Sequence, residues 1–147
     1  MKKLILAAIA ALVCVSAAAQ LNVKKSRSAT ETIVTLRAGH VRLCAADSLI
    51  YFVLPSSNQF DDPQLFYLGK TADSAVETLD DLAALLADGD AGSSVDVDQR
   101  GRTVTIRVEK QLGVRVLYFD FPKCAGLVST SKGELDKMKA ALVKWAK

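Results

Sequence analysis

The sequence predicts an α+β fold: a single domain with a curved, mainly antiparallel sheet and two helices packed on one face, in the approximate order β-β-β-β-α-β-β-β-(β)-α. Three observations lead there. The segment "TVTIRVE" (103–109) alternates strictly between polar and apolar residues, the mark of a strand with one dry and one wet face. Two other segments repeat apolar residues at helical spacing, each behind a capping pattern. Short β-type runs separated by turn residues fill the space before the first helix and between the two.

The chain opens on a targeting pattern. Lys2 and Lys3 precede an uninterrupted apolar segment, Leu4 to Val15, and Ser16-Ala17-Ala18-Ala19 then supplies small side chains. This is the layout of a bacterial-type secretory signal over residues 1–19, cut before Gln20. Its apolar core is shorter than the roughly 20 residues a membrane span needs, and no later stretch is long and apolar enough to cross a bilayer. The expected location is periplasmic or secreted. A lipoprotein anchored at Cys14 is the alternative, disfavoured because Val13 stands where a small residue is expected.

Residues 20–31 are polar and aperiodic, a flexible lead-in to a domain over 32–147. "TIVTL" and "HVRLC" read as two strands joined at Arg37-Ala38-Gly39, a turn needing one positive φ. "SLIYFVLP" is a continuous apolar run ended by Pro55, as in a strand buried on both faces. "SSNQFDDP" is loop, and "QLFYL" returns to strand. The first helix places Val76, Leu79, Leu82, Ala83 and Leu86 on one stripe. Ser74 with Glu77 fits a capping box, Thr71 and Asp73 are alternative caps, and Gly89 stands where a left-handed residue ends a helix. "DAGSSVDVDQRGR" holds a loop, a short strand and a turn at Gly101; a further turn at Gly113 leads to "VRVLYFDFP", and "AGLVS" offers a last short strand. The second helix has Leu135, Met138, Leu142 and Trp145 as its stripe and Ser131 with Glu134 as its capping box. No internal repeat is visible.

Composition narrows the function classes. The full chain has 19 Lys+Arg against 16 Asp+Glu, and without Lys2 and Lys3 the balance is 17 to 16. Near-neutral charge, an exported address and no aromatic-laced basic motif argue against nucleic acid as a partner. Cys44 and Cys124 remain after signal removal, and an oxidising compartment permits a disulfide between them. It would close a loop of about 80 residues, worth on the order of 4–5 kcal/mol in the chain-entropy model.

Several chemical motifs fail on spacing. Gly69-Lys70-Thr71 resembles the end of a phosphate-binding loop, but Gln64 stands where its first glycine belongs and a stiff aromatic strand lies between. Asp88 and Asp90 match the opening of a calcium loop, whereas Gly92, Ser93 and Gln99 occupy positions that need other residues. His40 is the single histidine, so no His/Cys zinc site is expected, nor any other cofactor. On one strand His40 and Cys44 share a face, yet four strand residues span about 13 Å. Asp80-Asp81 lies on the polar side of a helix and Asp61-Asp62 in a turn-forming loop, so neither is a facing carboxylate pair.

Charge is segregated along the chain. From Asp47 to Asp98 there are 11 acids against Lys70 alone, and from Arg100 to Lys147 there are 11 bases against four acids. One reading is compensation between the two helices. The other is a patch of Arg100, Arg102, Arg107 and Arg115 that receives an anionic glycan, lipid headgroup or acidic protein. Carbohydrate binding wants exposed aromatic rings; Trp145 and most Tyr and Phe fall on core positions, with Phe60 in its loop the exception.

The sequence thus leads to a non-catalytic binding or interaction module of the bacterial envelope or extracellular space, its partner an unidentified protein or envelope component. The alternatives are a small secreted hydrolase or thiol enzyme, using His40 with a cysteine or carboxylate, and a lipid-anchored accessory subunit.

Overall fold

The computed structural model of the chain describes residues 30–56, 62–122 and 128–147. Strands β1 (Glu31–Leu36), β2 (Val41–Ala46), β3 (Leu49–Leu54) and β4 (Gln64–Gly69) lead into helix α1 (Ala72–Asp88). Strands β5 (Ser94–Asp98), β6 (Thr103–Gln111), β7 (Val114–Asp120) and β8 (Val128–Ser131) lead into helix α2 (Lys132–Trp145). The residues show no repeat, but the architecture does: a four-stranded meander followed by a helix, twice.

The fold is α+β, with a difference in the sheet. The strands form two four-stranded antiparallel sheets, β1-β2-β3-β4 and β5-β6-β7-β8. The physical reason lies at the outer edge of β4. A fifth strand would need the main-chain groups of Tyr67, and a side chain takes them instead. Tyr67 N–H donates to Gln99 Oε1 at 2.6 Å, and Gln99 Nε2 donates to Tyr67 C=O at 3.2 Å. Arg102 Nη2 donates to the carbonyl of Leu65, two residues earlier. The tip of the β5–β6 hairpin therefore meets β4 through side chains, and the backbone ladder stops there.

Turn chemistry sets the meanders. Asp47-Ser48 (φ 51° and 60°), Arg100-Gly101 (59° and 84°) and Leu112-Gly113 (50° and 84°) are two-residue connections with both φ values positive. That geometry matches the right-handed twist of the flanking strands. At the β1–β2 turn three residues adopt positive φ, Arg37 at 49°, Ala38 at 51° and Gly39 at 100°, where the sequence predicts one.

One core joins the two halves. Phe52 from β3 and Phe66 from β4 stack with centroids 5.0 Å apart, and Phe119 from β7 meets both edge-on at 5.3 and 5.0 Å. Leu79, Leu82 and Leu86 of α1 and Leu135, Met138 and Leu142 of α2 are buried in the same cluster. Helix α1 packs on β3, β4 and β7, and α2 packs on α1, β1 and β8. Lys139 of α2 holds Asp80 of α1 at 2.5 Å, so the helices do compensate each other's charge at that point.

Both helix starts follow from local chemistry, and two expectations about their ends need correction. Thr71, not Ser74, caps α1: Ser74 N–H donates to Thr71 Oγ1 at 3.2 Å and Thr71 N–H donates to Ser74 Oγ at 3.1 Å. Ser131 caps α2, and its N–H donates to the Glu134 carboxylate at 2.9 Å. Gly89 is not left-handed; its φ is −67° and ψ 138°. Glycine is needed there for closeness, because a Cβ would lie 2.5 Å from Leu85 O and 2.7 Å from a methyl of Val108. Trp145 is not a core residue but 39% exposed, since the helix ends there and the ring lies at the surface near the β2–β3 turn and the start of α1.

Candidate functional site

Strand alternation gives each sheet two faces. In the first sheet Val41, Leu43, Ile50, Phe52, Leu54, Phe66 and Leu68 point into the core. The intervening residues therefore point away: Cys44 and Ala46 from β2, Leu49, Tyr51 and Val53 from β3, and Leu65 and Tyr67 from β4. Exposed Arg42 of β2 shares this outer face, whose apolar part runs over Leu49, Tyr51, Leu65 and Tyr67. The outer face of the second sheet is ordinary by comparison. There Thr105 donates to Asp96 at 2.7 Å, and Arg107 lies 3.5 Å from Glu109 and 3.4 Å from Asp120.

A groove of about 790 Å³ opens on the apolar part of the first sheet's outer face. Leu49, Tyr51, Leu65 and Tyr67 line it from the strands, and Arg100, Gly101 and Arg102 line it from the β5–β6 turn. Asp62, Pro63 and Gln64, at the entry to β4, and Asp47, in the β2–β3 turn, complete the lining together with Thr30, Ala46 and Gln99. Tyr51 and Tyr67 are directly opposed in the ladder. Because the main chain of Tyr67 turns to Gln99, they form the closer, non-hydrogen-bonded type of pair, with Cα atoms about 4.5 Å apart. Both rings are half-buried, and the guanidinium carbon of Arg100 lies 5.7 Å from the centre of the Tyr67 ring. That is within cation–π range. Arg102 is steadied by the Leu65 carbonyl and by the face of Phe121, 5.2 Å away.

The turn that presents Arg100 is a demanding one. Gln99 N–H donates to Arg102 C=O at 2.7 Å and closes a two-residue loop over Arg100 and Gly101. Asp98 Oδ1 accepts from Gly101 N–H at 2.8 Å. Asn or Gly suits the first loop position, because a larger side chain pays a steric penalty at positive φ. An arginine held there is aimed over the groove.

The four arginines of the predicted patch do not form one surface. Arg100 and Arg102 meet at the groove. Arg107 sits on the outer face of the second sheet, between Glu109 and Asp120. Arg115 lies at the end of α1, where its Nη1 donates to the Ala87 carbonyl at 2.6 Å and offsets the negative pole of that helix. Among the described residues, neither Arg100 nor Arg102 has a carboxylate partner.

The remaining candidates are scattered. His40 is exposed just after the β1–β2 turn, its N–H donating to Arg37 C=O at 3.1 Å. Cys44 is buried within β2, its Sγ 3.9 Å from Thr32 Oγ1. Cys124, the partner of the predicted disulfide, lies outside the described residues, as do Phe60 and Asp61. Asp62 is at the groove and Asp80 is bound to Lys139. Gly69 ends β4 and Thr71 caps α1, so Gly-Lys-Thr is a strand-to-helix turn.

Sequence reasoning missed Tyr51 and Tyr67, which it placed in the core. In an apolar run such as "LIYFVL" both parities are hydrophobic, so alternation carries no signal about which face holds the tyrosines. The available hint is chemical: Tyr brings a hydroxyl that a dry core must satisfy, whereas Phe52 and Phe66 bring none. Arg37 was also missed. It bridges the halves by donating from Nη2 to the Ser129 carbonyl at 2.6 Å and to the Glu134 carboxylate at 2.7 Å. Compared with known proteins, the chain matches no protein family, no curated protein and no solved structure.

Proposed function

We propose that this chain is a non-catalytic binding module, exported by its N-terminal signal, that takes its ligand in the groove between β3, β4 and the β5–β6 turn. The observation that carries the reading is the Tyr51–Tyr67 pair on the outer side of a sheet whose inner side already supplies the core. A cross-strand aromatic pair adds only about 0.2–1 kcal/mol to a sheet, and Leu65, 46% exposed beside it, extends an apolar surface of the kind that marks interaction sites. A concave site with an apolar floor and a few converging polar groups is what small-ligand recognition needs, and 790 Å³ lies inside the usual range of roughly 300–1,000 Å³.

The test is a fragment screen on the processed protein, followed by backbone amide shifts in NMR. Fragments are expected to move the amides of Tyr51, Leu65, Tyr67 and Gly101 together. Hits confined to other surfaces, or no hits on a library of ordinary size, would overturn the reading. Intact mass of the exported protein checks the address: loss of residues 1–19 is expected, and an added lipid at Cys14 would replace a free module by an anchored one. The same mass reports whether Cys44 and Cys124 have lost two protons to a disulfide.

A further inference from the structure

Resting on that reading of the groove, we infer that its ligand is a saccharide ring carrying a single carboxylate, of the hexuronate kind, within a short oligosaccharide. The C–H face of a pyranose is apolar and flat enough to lie against Tyr51, beside Tyr67 whose ring already carries the Arg100 guanidinium 5.7 Å from its centre. The carboxylate then falls to Arg100 and Arg102. A guanidinium is a planar fork that matches a carboxylate, and neither of these two has a carboxylate partner among the described residues. Arg102 spends one donor on the Leu65 carbonyl and keeps the rest of its fork.

Two further features select among anions. Asp47 and Asp62 also line the groove. Their carboxylates accept sugar hydroxyls, but they repel a chain of phosphates or sulfates, so the charge balance suits one negative group among many hydroxyls. An extended acidic peptide is disfavoured for a separate reason. Peptides are commonly taken up by adding a strand to an open sheet edge. The β4 edge beside the groove already has Tyr67 N–H and C=O bound to Gln99 and the Leu65 carbonyl bound to Arg102. Recognition there must run through side chains, as it does for sugars.

The experiment is calorimetric and NMR titration of the processed protein with a short, otherwise neutral oligosaccharide bearing one hexuronate residue, the methyl ester of that compound, a heparin oligosaccharide and a Glu-rich peptide. The free acid is expected to bind, moving the amides of Tyr67 and Gly101, and methyl esterification to weaken it about tenfold or more through loss of the charge-assisted pairs. Arg100→Asn is expected to weaken the acid by a similar factor without lowering the melting temperature, because Asn-Gly is the sequence this turn prefers. Equal binding of ester and acid, tighter binding of heparin or of the peptide, or an Arg100→Asn protein that binds unchanged would each overturn the assignment. If no saccharide binds while fragments still map to the groove, the ligand class is wrong and the binding-module reading stands. If neither binds there, both are wrong.

Discussion

The guanidinium of Arg37 forks the carboxylate of Glu134 across 97 residues of chain, Nε lying 2.5 Å from Oε1 and Nη2 2.7 Å from Oε2. The same guanidinium reaches the Ser129 carbonyl of β8. Its counterpart is Arg102, which reaches the Leu65 carbonyl of β4. The turn after the first strand of each half is thus tied to the fourth strand of the other half, so the two halves clasp reciprocally.

Glu134 makes the first clasp sensitive to acid. Partial burial pushes its carboxyl up, but the Arg37 and Ser131 hydrogen bonds and the Arg37 charge together outweigh that and hold it below its ordinary value. A depressed value in the folded chain means that the unfolded chain binds the proton more tightly. The stability it contributes is therefore present above the ordinary carboxylate range and lost as pH falls through the folded value. Urea midpoints measured from about pH 7 down to about pH 3 should show this loss, and Glu134→Gln should flatten that part of the profile. Arg37→Ala should cost about 1 kcal/mol at neutral pH, kept modest because the guanidinium is 37% exposed and screened by solvent. An unchanged acid limb in Glu134→Gln would show that other carboxylates govern it.

Replacing Gln99 tests the closure of the β4 edge. Gln99→Leu keeps the volume but leaves the N–H and C=O of Tyr67 without their partners, a loss of roughly 1–3 kcal/mol. Gln99→Glu can still accept from the N–H but cannot donate to the carbonyl, so it should recover only part. Denaturant unfolding measures both, and a neutral Gln99→Leu would mean that water satisfies the edge equally well.

The two faces of β3 and β4 should respond unequally. Phe66→Ala empties a site that is 1% exposed at the meeting of three rings, and a loss of about 3–5 kcal/mol is expected. Tyr51→Ala, on the outer face, should cost far less, on the order of 1 kcal/mol. Thermal unfolding of the pair decides it: similar losses would place Tyr51 in the core after all.

That contrast also marks how far the sequence was readable. "TVTIRVE" declared its faces because its apolar residues occupy one parity, and Val104, Ile106 and Val108 are all fully buried. "LIYFVL" declared a strand but not its faces, so the groove floor stayed hidden. The turns at Gly101 and Gly113 and the Ser131–Glu134 capping box were legible because each depends on neighbouring residues alone, whereas at α1 the box lies one turn earlier than the predicted Ser74–Glu77, on Thr71 and Ser74. The break between the sheets was not, because it rests on Gln99 meeting a residue 32 positions away. The arginine patch failed for a related cause: closeness in sequence along β5–β7 says nothing about which side of a sheet each residue takes, and Arg100 and Arg107 ended on different surfaces.

The joint at Gly69-Lys70-Thr71 supplies the last prediction. Gly69 closes β4 where α1 turns back across it, and a Cβ there would collide with Ser74 Oγ and lie 2.9 Å from the Ala75 nitrogen. Ser74 cannot swing aside freely, since its hydroxyl accepts from Thr71 N–H and donates to Thr71 C=O at 3.0 Å. Gly69→Ala must therefore break the capping box or displace the helix, and a loss of about 1–3 kcal/mol is expected. Thr71→Ala removes one cap acceptor and should cost about 1 kcal/mol. If the collision acts through the cap, the two losses should not add: in the double variant the cap has already gone, so the sum of the single losses should exceed the measured total. Strict additivity by denaturant unfolding would show instead that Gly69 is required only for the approach of the Ala75 backbone.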